Sequence, residues 1–410
     1  MKHLAPSEKF KIDWGKYLGS AELLSLVLVL VPLLLVPYAF PPYAANALAL
    51  FLIYGLLPTS LGLIWGFAGI ISFGQNTFFG VAAYTYGIVA VNVAAGSRGN
   101  IGLAVLAGTA AATVMSLLLG WFLFYGRLSD VYASIILLVV SLVLYVFGMS
   151  TAGDEWVVGT ARLGGFNGLF GQGLSQNAGS FQIPPLSIWL YGMDQPFAFR
   201  IDRRNVSGYY LVLGTCLVVL SLARMLLATR LGRIALTIRE NEARAASFGY
   251  DVRAYKLAMF TVAGAIAGTA GVLFVGWGRF VNPEVFSLTF AASVVVYVLL
   301  GGRLTLAGGF VGAVLINYLT SYLAGASNSA IVTSPGILFE VLRRLIEQAP
   351  LLVQGVALIA TVFVLKRGIA PPVLEFLAHR SWIGWLILLP AVVAYFVLRV
   401  VCIHSDFCLL

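Results

Sequence analysis

Residues 230–256 read RLGRIALTIRENEARAASFGYDVRAYK, six basic and three acidic side chains set between two long apolar runs, 208–228 and 257–277. A helix rises ~1.5 Å per residue, so a run of roughly 20 apolar residues crosses a ~30 Å hydrocarbon core. The polar stretch is therefore a loop in water between two membrane spans. Further apolar runs lie at about 22–40, 44–65, 78–95, 101–125, 130–148, 286–300, 308–324, 350–366 and 382–401. Together they predict an all-α polytopic membrane protein of about 10–11 transmembrane helices, with 286–300 short enough to be a half-span.

Composition agrees. Of 410 residues, 60% are hydrophobic and 10% charged, with a mean hydropathy of +0.96, whereas soluble domains carry roughly 25% charged residues. The net charge of +9 is scattered. No basic stripe carries interleaved aromatics, which argues against a nucleic-acid partner. The run beginning at Glu22 is followed by no small-residue cleavage site and leads directly into more spans, so it reads as a retained anchor. Three cysteines (Cys216, Cys402, Cys408) are too few for a disulfide scaffold.

Basic residues favour the cytoplasmic side of a membrane. A cytoplasmic N-terminus places 16 of the 25 lysines and arginines there, including Lys2, Arg127, Arg303 and the whole of 230–256. The expected organisation is a cytoplasmic segment 1–21, a transmembrane domain 22–367 and a C-terminal extension 368–410 carrying an extra span. Within the domain, 149–207 is an external loop and 229–256 a cytoplasmic one. Cys402 and Cys408 then fall outside, where they could pair; two free thiols fit equally well. In the external loop, Gly164, Gly165 and Gly168 permit a tight turn, and Trp156 and Trp189 suit interfacial anchoring. A loop of that length usually has a task, and docking of an external partner is the functional reading.

Enzyme chemistry finds no candidates. His3, His379 and His404 lie in tails or loops, no HExxH motif occurs, and no carboxylate pair or metal-ligand cluster sits in the apolar interior. Glu22, Asp130 and Arg224 stand at span ends, leaving the centres uncharged. Proton-coupled carriers place ionisable groups near mid-membrane at a cost of roughly 2.5–3.5 kcal/mol each; none is present, though sodium coupling through backbone carbonyls stays open. The chain has no GxxxxGK[ST] loop to cradle nucleotide phosphates. A partner ATPase touching 230–256 would supply the energy. The spacing there predicts one helix over 233–248, stopped by Gly249 in the left-handed conformation. Glu240 and Arg244 would pair across one turn for about 0.3–0.5 kcal/mol, and Ala243, Ala245 and Ala246 would let a partner approach. A solvated helix whose charges only set topology explains the stretch equally well.

A second stretch, GFAGIISFGQNTFFGVAAYTYG (66–87), sets Ser72, Gln75, Asn76 and Thr77 within glycine-punctuated apolar sequence. Broken helices at membrane depth are tolerated where they line a cavity or are buried in protein. Uncharged donors and acceptors there suit a neutral or zwitterionic solute; small-residue packing with polar glue is the alternative. A fainter echo, GGRLTLAGGFVGAVLINY (301–318), hints at two related halves with broken helices around a central pathway.

These blocks together resemble the permease subunits of bacterial branched-chain amino-acid ABC importers, in the subgroup shared with urea and short-chain amide importers. The resemblance rests on WGFAGIISFGQNTFFGVAAYTYG, on GGFNGLFG, on GRIALTIRENEARAASFGYDVRAYKLAMFTVAGAIAGTAGVLF and on VNPEVFSLTFAASVVVYVLLGGRLTLAGGFVGAVLINYL, and covers about 45–367. It implies a bacterial inner-membrane subunit that pairs with a second, homologous permease. Two cytoplasmic ATPase subunits would bind ATP and Mg, and a periplasmic binding protein would deliver solute; the chain itself holds no cofactor. By the match, Ile238, Arg239, Glu240, Asn241, Glu242, Arg244, Phe248 and Gly249 resemble the coupling helix. Ser72, Gln75, Asn76, Phe78, Phe79 and Tyr84 fall near the substrate route, and Gly165, Asn167 and Gly168 in the region that meets the binding protein. Many relatives carry His where this chain has Gln75, so the route here is more polar. The implied solute is a branched-chain amino acid, with urea or a short-chain amide close behind; 325–349 and the extra span fit neither subgroup. The competing class is a stand-alone secondary carrier or channel for a small neutral or zwitterionic solute.

Overall fold

The computed structural model describes residues 42–95, 101–171, 205–303 and 305–331, with short pieces between 183 and 202 and isolated positions near 34–37 and 355–359. The N-terminal segment, the spans expected at 22–40, 350–366 and 382–401, Trp189 and the Cys402–Cys408 tail lie outside the described residues, as does most of 325–349. The chain divides into two compact units, Met1–Ala44 with Val373–Leu410, and Ala45–Pro372. The second unit carries every feature considered below.

Its apolar runs fold as helices close to their expected limits, and the polar stretch 230–256 adds two short ones. They are α1 (Pro42–Ala68), α2 (Gln75–Ala95), α3 (Gly102–Tyr125), α4 (Asp130–Ser150), α5 (Ser207–Ala228), α6 (Arg230–Glu240), α7 (Glu242–Ser247), α8 (Val252–Gly278), α9 (Leu288–Gly301) and α10 (Leu306–Ile331). Five are long and apolar enough to cross a membrane; a sixth span results if α9 and α10, bent by 114°, count as one. At 14 residues α9 measures about 21 Å, two-thirds of a hydrocarbon core.

Lipid offers no hydrophobic drive for helix association, so close van der Waals packing through small residues must supply it. On α3, Ala104, Gly108, Ala112, Ser116 and Gly120 recur every four residues and all are buried. That stripe meets its counterpart on α8: a Cβ added to Gly264 would lie 2.2 Å from Ser116, and one on Gly268 2.4 Å from the Ala112 Cβ. Gly271 meets the Phe79 carbonyl of α2 in the same way. The opposite face of α3 exposes Leu106, Leu118, Trp121 and Phe122, side chains suited to acyl chains and the interfacial belt. Along their apolar windows α1 and α8 are 78% and 67% buried, while α3, α4 and α5 are 22–28% buried. The first two are inner helices and the others face lipid.

Two non-helical segments run within this bundle. Residues 69–74, between α1 and α2, begin at Gly69 with φ +77° and follow α4. The Ser134 hydroxyl of α4 donates to the Ile71 carbonyl at 2.7 Å, and a Cβ on Gly74 would stand 2.4 Å from the Leu137 carbonyl oxygen. Residues 279–287 connect α8 to α9 through a 3-10 turn, Pro283–Phe286. There the Ser141 hydroxyl of α4 donates to the Phe286 carbonyl at 2.8 Å. Ser141 is eleven residues, about 16 Å, into α4, so this irregular backbone lies near mid-bilayer. It is tolerated because protein encloses it and hydroxyls satisfy its carbonyls.

On the far side from α6 and α7, strands β1 (Val157–Val158), β2 (Ala161–Arg162) and β3 (Phe170–Gly171) form a small antiparallel sheet. Asn92, near the end of α2, fastens it: its amide donates to the Val158 carbonyl at 2.9 Å, and its carbonyl accepts from the Thr160 backbone amide at 2.7 Å. Short strand pairs β4 (Ser187–Ile188) with β5 (Phe197–Ala198), and β6 (Ile201–Asp202) with β7 (Asn205–Val206), lie further along the loop.

Candidate coupling elbow and buried polar cluster

The stretch 230–256 folds as an elbow of two helices, a correction to the single helix expected over 233–248. Asn241 breaks it. Its backbone is extended (φ −162°, ψ 103°), and its side-chain oxygen accepts the Arg244 amide at 2.9 Å, capping α7. Asparagine is among the best N-caps because a short amide reaches the free N–H groups of a first turn; embedded in helix-forming neighbours it is easily read as interior. The break also cancels the expected Glu240–Arg244 pair, since the two residues no longer share a helical face. Gly249 ends α7 as expected, with φ +86°. Its amide donates to the Ala246 carbonyl and that of Tyr250 to Ala245, the paired bonds of a Schellman stop.

The elbow is clamped to the bundle. Gly232, Ala235 and Ile238 form the buried face of α6, and Ile238 packs with Ala245 of α7 and Val252 of α8. Lys256, with a side chain 10% exposed, is bonded to Glu242 at 2.7 Å and to Asp130 at 3.4 Å. One ammonium thus joins the first turns of α4 and α7 to α8. Arg239 points back: its Nη1 donates to the Gly66 carbonyl in the last turn of α1, where helix carbonyls lack partners and favour a cation.

The eight residues matched to a coupling helix therefore divide. Ile238 and Arg239 face the bundle, and Glu242 is held by Lys256. Glu240, Asn241, Arg244, Phe248 and Gly249 are exposed, Phe248 at 70%. Beside them Arg230, Arg233, Ile234, Thr237, Tyr250 and Tyr255 line an open groove of about 440 Å³. Neither the groove nor the contacts of Lys256 follow from the local sequence, since both depend on how separate helices pack. Lys256 was signalled only by being a lysine at the start of a span, with an aspartate opening another.

Ser72, Gln75, Asn76, Phe78 and Phe79 all lie at the start of α2 or just before it, each no more than 1% exposed. Ser60 of α1 donates to Gln75 Oε1 at 3.4 Å, and Asn76 Nδ2 donates to the Ser287 backbone carbonyl at 3.3 Å. Asn76, in the first turn of α2 just past residues 69–74, is thus tied to the second irregular segment, and its neighbour Gln75 to α1. Gln75 Nε2, Asn76 Oδ1 and Thr77 Oγ1 are buried without a hydrogen-bond partner, an arrangement that costs about 1–3 kcal/mol per group unless another donor or acceptor visits. Phe79 packs against Phe274 and Phe290 at 5.4 Å each. Tyr84, two turns along, stacks on Phe286 at 5.8 Å, and its hydroxyl is also unpartnered.

In the far loop, Gly164, Gly165 and Gly168 all have positive φ and form the expected turn. Gly165 and Gly168 are buried in it, a Cβ on Gly165 falling 2.7 Å from Ala152, while Phe166 and Asn167 form its exposed tip. The Leu169 amide bonds the Val281 carbonyl at 2.9 Å, so this tip sits directly over the segment that descends to Ser287.

A family profile described as the permease component of a branched-chain amino acid transport system matches residues 43–366. The chain is 28% identical over 289 residues to the "High-affinity branched-chain amino acid transport system permease protein LivM" of Escherichia coli (strain K12), covering 68% of this chain and 63% of that protein. It is 29% identical over 261 residues to the protein of the same name from Salmonella typhimurium (strain LT2), covering 61% and 56%. The matches thus span about three-fifths of the length of these curated relatives. No solved structure matches.

Proposed function

Because the chain belongs to the branched-chain amino acid transport permease family, we propose that it is the membrane-spanning subunit of an ATP-driven importer. The observation that carries this reading is the elbow. Its exposed residues, Glu240, Arg244 and Phe248, form a polar and aromatic knuckle on a base fixed by Ile238, Arg239 and Lys256. A site that transmits force needs a rigid attachment and a free face, and this elbow has both. In the proposed complex two ATPase subunits seat these knuckles from the cytoplasm and carry out ATP hydrolysis. A second permease completes the route and a binding protein docks over Phe166 and Asn167 from the periplasm. The membrane is the bacterial inner membrane, with the N-terminus cytoplasmic.

The proposed solute is a branched-chain amino acid, in keeping with the names of the relatives; urea or a short-chain amide is the second class. Gln75, Asn76 and Thr77 offer uncharged polar atoms without partners, which suits a zwitterion or an amide and gives no cationic or anionic site. The test is co-purification. Genes beside this one should encode two nucleotide-binding proteins, a second permease and a secreted binding protein. The ATPases should co-purify with the wild-type chain and be lost with Phe248→Asp. Co-purification unaffected by Phe248→Asp removes the elbow as the docking site, and calorimetry on the binding protein identifies the solute.

A further inference from the structure

Arg239 lies in the middle of the elbow yet turns away from its free face. Its guanidinium donates to the Gly66 carbonyl, and a Cβ built on Gly69 would stand 3.2 Å from the Arg239 side chain and 3.5 Å from its Cα. Arg239 therefore grips the end of α1 on both sides of the point where the helix stops and residues 69–74 begin. Those six residues lead without interruption to Gln75 and Asn76, which bond Ser60 and the Ser287 carbonyl. A second connection runs in parallel. Glu242 holds Lys256, Lys256 holds Asp130 at the start of α4, and one turn into α4 Ser134 donates to the Ile71 carbonyl. α6 thus meets the end of α1 and the first residue of the irregular segment directly, at Gly66 and Gly69, and α7 is connected to the same segment at Ile71 through Lys256, Asp130 and Ser134.

We infer that Arg239 is a positioning residue, a strut that carries movement of the elbow to residues 69–74 and so to the Gln75–Asn76 closure. It is not a contact for the partner. This deepens the importer reading and rests on it. An arginine suits the task because its planar fork holds a carbonyl in fixed geometry, and a left-handed glycine is a backbone joint that an L side chain would stiffen. Rotation of α6 would displace Gly66 and Gly69 directly, with only one side chain between them. The Asn76–Ser287 bond ties the first turn of α2, to which 69–74 leads, to the second irregular segment, so pulling on 69–74 would strain it beside the polar atoms that lack partners.

The test uses the assembled importer in proteoliposomes. Arg239→Met should co-purify with the ATPases as wild type does and hydrolyse ATP, while solute moved per ATP falls about tenfold. Arg239→Lys, which keeps a cationic donor, should recover a substantial part. Transmission is read separately at Phe73, which is 39% exposed within the irregular segment. Phe73→Cys, with Cys402 and Cys408 replaced by serine, is labelled with a soluble maleimide before and after nucleotide trapping. Trapping should change the rate several-fold when Arg239 is present and leave it unchanged in Arg239→Met. Full uptake per ATP in Arg239→Met, loss of ATPase binding equal to that of Phe248→Asp, or a Phe73→Cys rate indifferent to nucleotide with Arg239 intact would each overturn the strut. Absence of ATP-driven uptake in the unmutated complex would instead refute the importer reading itself.

Discussion

Replacing Asn241 with alanine removes the hydrogen bond that starts α7. The Asn241 oxygen accepts the Arg244 amide at 2.9 Å, and alanine leaves that amide to water. Loss of an Asn cap costs about 0.5–2 kcal/mol, typically ~1. For α7 this is a large share of the local stability. The helix has six residues, far below the ~12–15 at which an isolated helix becomes even marginal, so it persists through its cap, its Schellman stop and the burial of Ala245 against Ile238 and Val252. A loss of ~1 kcal/mol shifts the closed-to-open ratio about fivefold. Hydrogen exchange with mass spectrometry reads this directly: amides in a peptide covering 242–250 should exchange about fivefold faster in Asn241→Ala. Those of α8 beyond its first turns should be unchanged. Asn241→Asp, an equally good cap, should exchange like wild type. Unchanged exchange in the alanine variant, or equal acceleration in both variants, would show that Asn241 is not the cap of α7.

A double-mutant cycle across Glu242→Gln and Lys256→Met should give a coupling of about 0.2–1 kcal/mol, because the Glu242 side chain is 57% exposed and solvent screens the pair; chemical or thermal unfolding in nanodiscs measures it. Gly268→Val should destabilise the bundle by about 1–3 kcal/mol, since even a Cβ there lies 2.4 Å from Ala112, and a lowered Tm checks it. Ser141→Ala should cost about 1–2 kcal/mol by stranding the buried Phe286 carbonyl, with faster exchange over 283–290 as the local readout.

The five spanning helices were legible because each is an apolar run of span length, and the lipid-facing sides of α3, α4 and α5 tolerate no other composition. The Gly249 stop was legible because a left-handed glycine after a helix is a local event. Asn241 was harder: a single asparagine among good helix formers reads as interior unless its side chain is known to fold back on Arg244. Lys256 could not be assigned its partners, because Asp130 is 126 residues away and only the fold brings the start of α4 to Lys256. The same holds for Arg239. Its charge placed it on a polar loop and the family match placed it near a partner, but the direction of its side chain depends on where α1 ends. The small-residue stripe of α3 was visible in sequence at four-residue spacing. The glycines of 66–87 read as a broken helix lining a route, with small-residue packing as the alternative; Gly69 opens the break, while Gly80, within α2, packs closely against Phe286. Ser72, Gln75, Asn76 and Thr77 stood out as polar residues in an apolar run, but their closure by Ser60 and the Ser287 carbonyl is a long-range contact.

In the proposed importer, energy enters at the elbow from separate ATPase subunits. The most direct measurement is uptake of radiolabelled leucine into proteoliposomes holding the permease pair, with binding protein outside and ATP inside, with and without the ATPases. Uptake is expected only when ATPases and ATP are both present, and is lost in Phe248→Asp. Flux of the same solute through the permease without the ATPases would contradict that expectation and identify a self-sufficient carrier or channel.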